Sequence, residues 1–151
     1  MYFRLIIFYL FILMSCAENN KTSNLEIPLR SDIDAKYKWD MTAVYPTEEA
    51  WEDDLNLVKK LYPRLGDYKG RLLSSPEVLL ESIELRNQVN QTLWKLYHYA
   101  SNSSNADVRN EKFQEMVQRV INESVKIGQT TAYYTPEILQ NEYSVLEDLM
   151  A

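Results

Sequence analysis

The sequence predicts an all-α fold, and three observations carry that prediction. Only three glycines interrupt 151 residues, and β-branched runs of strand length are few. Apolar side chains also recur at three- and four-residue intervals over several long stretches, the period of a helix with one buried face. About four elongated antiparallel helices are expected between residue 36 and the end of the chain.

The first element is not part of that fold. Residues 1–16, MYFRLIIFYLFILMSC, carry one early cation, Arg4, and an apolar run from Leu5 to Met14. That run is too short to cross a hydrocarbon core of ~30 Å as a helix, and its layout is that of a secretory signal over residues 1–15. LMSC resembles the lipobox of bacterial lipoproteins, in which the cysteine becomes acylated, although Met14 is a less usual occupant of its slot. Cys16 is therefore the expected lipidation site, and as the single cysteine it has no intramolecular disulfide partner. An ordinary cleaved signal or an uncleaved anchor is the alternative. Lipidation implies a membrane as partner and the bacterial cell envelope as location, periplasmic or outer surface. Residues 16–35 are polar, lack an apolar period and read as a tether.

The helical domain is expected over 36–151. Its first helix should begin at Thr47, whose hydroxyl can cap orphan N–H groups, with Glu48, Glu49 and Glu52 at the positive end of the dipole. Trp51, Leu55, Val58 and Tyr62 form its apolar stripe, and Pro63 should end or kink it. Ser75, Pro76 and Glu77 open the second helix, with Val78, Leu85, Val89, Leu93, Leu96 and Ala100 on one face. SNSSNAD, from Ser101, should break it. A third helix is expected from about Ala106 to Tyr134, with Phe113, Val117, Val120, Ser124, Ile127 and Thr131 as its stripe. Ser124, Gly128 and Ala132 are small enough to let a neighbouring helix approach closely. Thr135, Pro136 and Glu137 should open a fourth helix, whose pattern runs on through YSVLEDLMA without a cap, as in a truncated chain.

Several segments, in order, resemble the amino-terminal part of oligoendopeptidase F: KYKWDMTAVYPTEEAWEDDL, YKGRL, LYHYAS before an Asn/Asp-rich turn, and TAYYTPEIL. The resemblance covers the chain from about residue 27 onward. It implies the amino-terminal helical lobe of a largely helical zinc metallopeptidase that hydrolyses short peptides in a channel between two lobes. It also implies that the zinc-binding His-Glu-x-x-His and the catalytic domain lie beyond residue 151, so that the missing catalytic domain is a partner and the amino-terminal helices wall the channel. A lipid anchor departs from the family, whose members are often cytosolic. The aromatic opening is then structural: Trp39 and Tyr45 should clasp the start of the first helix while Trp51 anchors it, each burying roughly 150–250 Å². An aromatic shelf for a peptide is the alternative.

The chemistry in these residues is sparse. His-Glu-x-x-His needs two histidines one helical turn apart on one metal, and this chain has a single histidine, His98. We therefore expect no metal site and no cofactor in the chain itself, with zinc implied only for the full-length family. His98 is expected as a partly buried helix residue rather than a stray ligand. It could be paired with Ser101 or Ser103, but no strand-turn-helix elbow surrounds those serines, so no catalytic residue is expected. The carboxylates of EAWEDD read as capping and solubility. A net charge of −6 with no basic stripe argues against a nucleic-acid partner. The competing reading is a non-catalytic, lipid-anchored helical module that binds a protein or peptide.

Overall fold

The structure is a computed structural model that describes residues 28–141 and 143–150. The signal segment and Cys16 lie outside the described residues. The chain divides into two compact units, Met1–Ile33 and Asp34–Ala151. In the described part of the first, Arg30–Asp32 form one 3-10 turn, closed by the Asp32 carboxylate accepting the Leu29 N–H at 3.2 Å.

The second unit begins with two 3-10 turns, Ala35–Tyr37 and Met41–Ala43. It continues with α1 (Glu48–Leu61), a 3-10 run over Tyr62–Tyr68, α2 (Pro76–Ala106), α3 (Glu111–Thr131), and two short helices, α4 (Tyr134–Leu139) and α5 (Tyr143–Met150). No strand occurs among the described residues. The all-α class holds, with three long helices rather than about four.

Local chemistry sets most boundaries. Thr47 caps α1 by accepting the Ala50 N–H at 3.2 Å, and Ser75 caps α2 through the Val78 N–H at 3.3 Å. At Tyr62 and Pro63, α1 tightens into the 3-10 run, since proline cannot supply the next N–H. Gly70, at φ +78°, then turns the chain where a side chain would strain it.

Three boundaries differ from expectation. SNSSNA does not break α2, because its stripe continues on small residues: Leu96 and Ala100 are followed by Ser103, which is also buried. Tertiary burial there outweighs the poor helix propensity of serine and asparagine. The break falls at Asp107, whose carbonyl and carboxylate accept the Asn110 and Arg109 N–H groups, so α3 starts at Glu111 behind an Asn110 cap. The fourth helix is split in two. The Asn141 side-chain amide donates to the Glu137 carbonyl at 2.7 Å, taking the acceptor that a continuing helix would give to its own backbone.

Pairings between helices fix their directions. Tyr45 meets Tyr99 and Asp54 meets Lys95, so α1 runs antiparallel to α2. Tyr99 meets Phe113 and Ser82 meets Tyr134, so α2 is antiparallel to α3 as well. The core lies between α1, α2, α3 and the 3-10 run, with Trp51, Leu55, Leu65, Leu72 and Leu96 fully buried.

Candidate functional site

Two polar clamps hold the segments that the sequence singles out. The first joins the aromatic opening to LYHYAS. Tyr45 is buried and its hydroxyl donates to Asp54 at 2.6 Å. Lys95 pairs with the same carboxylate at 3.2 Å and lies 4.0 Å from the Tyr45 ring centroid. Burial, with the Asp54 carboxylate alongside, pushes the Tyr45 phenol well above its ordinary range. Trp51 is fully buried, and its indole N–H donates to the Leu96 carbonyl at 3.1 Å. Arg119 of α3 lies over the Trp51 ring at 5.2 Å and forks onto Glu52 with bonds of 2.5 and 2.6 Å. The Arg119 hydrogen bonds hold the Glu52 carboxyl below its usual value of 4.5. Glu48 pairs in turn with Lys112. The acidic start of α1 therefore does more than cap and solubilise: two of its carboxylates seize α3.

Trp39 does not join this clamp. It is 69% exposed, a correction to the anchor role expected of it. The turns on either side of it close locally, Asp40 accepting both the N–H and the hydroxyl of Thr42 at 2.9 and 2.6 Å. Met41 packs against the core in its place.

The second clamp joins YKGRL to TAYYTPEIL, which no pattern in the sequence foretold. The Glu137 carboxylate accepts the Gly70 and Leu72 N–H groups at 2.9 and 2.7 Å. The Tyr133 hydroxyl donates to the Leu65 carbonyl at 2.5 Å, and that of Tyr134 to the Ser82 carbonyl at 3.2 Å. Beside this clamp lies an open cleft of about 610 Å³ between the Gly70 turn and α4. The glycine at position 70 is a turn signal legible in the sequence; its distant carboxylate partner had none.

The catalytic candidates all lie on α2. His98 is exposed rather than partly buried, stacked on Trp94 with ring centres 5.5 Å apart. The buried stripe of α2 passes through Leu96, Ala100 and Ser103, which turns His98 outward. Ser101 and Ser103 lie within the continuous α2, with no elbow to activate a hydroxyl. Among the described residues no three His, Cys, Asp or Glu side chains are grouped to hold a metal ion. With one imidazole in the whole chain, the donors present do not fit a His-Glu-x-x-His zinc centre.

The stripe of α3 is also shifted from expectation. Glu123, not Ser124, is buried, with one carboxylate oxygen on Lys126 at 2.9 Å and the other without a hydrogen-bond partner. Ser124 instead faces out, onto a groove of about 420 Å³ between α2 and α3. Asn90, Trp94 and Tyr97 form one wall of that groove, and Ile121 and Val125 lie on the other.

Comparison with known proteins adds the following. No family model matches the chain, and no solved structure does. It is 33% identical over 137 residues to Oligopeptidase PepF of Bacillus subtilis (strain 168), covering 91% of this chain and 20% of that protein. Group B oligopeptidase PepB of Streptococcus agalactiae serotype III (strain NEM316) is 34% identical over 111 residues, 74% of this chain and 18% of that protein. The plasmid-borne Oligoendopeptidase F of Lactococcus lactis subsp. cremoris is 36% identical over 112 residues, again 74% of this chain and 19% of that protein. The chain spans about a fifth of the length of these curated relatives.

Proposed function

We propose, from the premise that the chain belongs to the oligoendopeptidase F family, that it is a helical, non-catalytic wall of a machine that hydrolyses short peptides. One observation carries the reading. In the segments that bear the family resemblance, Tyr45, Trp51, Tyr133 and Glu137 are spent on the two clamps, and the single histidine, His98, is stacked on Trp94 rather than grouped with metal-binding side chains. Zinc, where the family binds it, would activate a water for attack on the peptide bond. The donors in this chain do not fit that ion, so its residues contribute shape and support rather than a chemical step.

A quenched fluorescent peptide incubated with the purified chain and added zinc tests this. The expected result is no cleavage, together with peptidase activity when the chain replaces the matching 137-residue segment of the Bacillus subtilis relative. Cleavage by the chain alone would overturn it. Such an assembly acts on short peptides, as the relatives' names state of them.

We also propose that Cys16 is acylated and tethers the chain to the cell envelope. The sequence LMSC behind an apolar run supports that reading. Among the described residues no helix is long and apolar enough to cross a membrane. Labelled palmitate should enter the native chain and not Cys16→Ser; equal incorporation would refute acylation at this thiol.

A further inference from the structure

We propose that the groove between α2 and α3 seats an amphipathic helix from the portion of the peptidase fold that lies outside these 151 residues. The inference rests on the scaffold reading above and names the contact through which the scaffold acts. Trp94, Ile121 and Val125 are 59%, 41% and 56% exposed along the groove, a concentration of large apolar side chains that marks an interaction surface. None of its eight lining residues is charged.

The shape of the groove favours a helix. Ser124 lines the groove, and Gly128 and the α3 C-cap Ala132 follow it beyond the groove at four-residue intervals, all three exposed. A Cβ added at Gly128 would meet nothing within 4 Å. At Gly128, small enough for close helix approach, α3 thus borders empty space rather than a neighbour. An extended peptide fits poorly, because its unpaired backbone N–H and C=O groups would find only Asn90, Ser124, the Tyr97 phenol and the Trp94 indole N–H as hydrogen-bonding side chains. A helix brings its backbone already satisfied. A second copy of the chain is disfavoured by the net charge of −6 that each carries. The relatives, by contrast, hold some four fifths of their length outside the matched segment, ample to supply the missing element.

The test measures coverage directly. Val125→Cys is made in a Cys16→Ser background, both in the full 151-residue chain and in that chain grafted into the Bacillus subtilis relative in place of its matching segment. Modification of residue 125 is followed by peptide mass. Labelling should be fast in the isolated chain and at least about tenfold slower in the graft. Val125→Glu should leave the melting temperature of the isolated chain unchanged and lower that of the graft. Trp94→Ala should do the same, so that the result does not hang on one variant. Equal labelling in the two contexts, in a graft that retains peptidase activity, would overturn the groove assignment while leaving the scaffold reading intact. A graft that neither melts cooperatively nor cleaves peptide would overturn both. Protection in the isolated chain that grows with its concentration, or with added blocked hexapeptides, would reassign the groove to self-association or to substrate.

Discussion

Trp51 and Trp39 stand twelve residues apart and have opposite fates. Trp51 is fully buried with its indole N–H satisfied by a carbonyl on α2, whereas Trp39 is mostly exposed. Trp51→Ala should therefore cost about 3–5 kcal/mol of stability, the usual penalty for emptying a large aromatic site. Trp39→Ala should stay within about 0.5 kcal/mol of the parent. Urea unfolding followed by far-UV circular dichroism separates the two. The stripe Trp51, Leu55 and Val58 was legible because its spacing is helical and its members are apolar. Trp39 misled because composition alone cannot say whether an aromatic side chain before a helix turns in or out; locally closed turns decide it. Glu123 was missed for the converse reason, since a carboxylate is not expected within a buried stripe.

At the scale of elements, polar contacts join the helices around their apolar core, and two of them make predictions. The Arg119 fork lowers the folded-state value of Glu52 below 4.5. Its stabilisation is therefore complete above that unfolded value and disappears as the pH falls through the lower folded one. Glu52→Gln should lower the melting temperature at pH 7, and the gap from the parent should close as the pH falls below 4.5. A gap that persists in acid would show the pair to be incidental. Glu137→Ala strands the N–H groups of Gly70 and Leu72 and should cost about 1–3 kcal/mol. Hydrogen exchange should quicken at the Gly70 turn and in α4 before it does in α1. Caps and starts of this kind were readable at Thr47 and Ser75, because the side chain that caps is the neighbour of what it caps. The Glu137 clamp spans 65 residues of sequence to Leu72, a distance at which no local pattern survives.

Across the whole folded unit, α2 is the common member: it lies antiparallel to α1 and to α3 and contributes to both clamps. Unfolding of residues 34–151 should accordingly be one transition, with near-UV and far-UV dichroism coincident on heating. Two separated midpoints would mean that the clamps open independently. The helical class was legible at this scale because glycine scarcity and a helical period are properties of long windows. The count of helices was not, because a single asparagine side chain ends α4.

The placement of α1 carries a temporal cost. Its Glu52 must await Arg119, which is 67 residues further along the chain. At a synthesis rate of roughly 5–20 residues per second, that wait lasts about 3–13 s. For the first part of it, until Leu96 has followed Trp51 by 45 residues, a nascent segment bearing Trp51, Leu55 and Val58 lacks its α2 surface, and a holding chaperone that recognises short apolar stretches would find its target there.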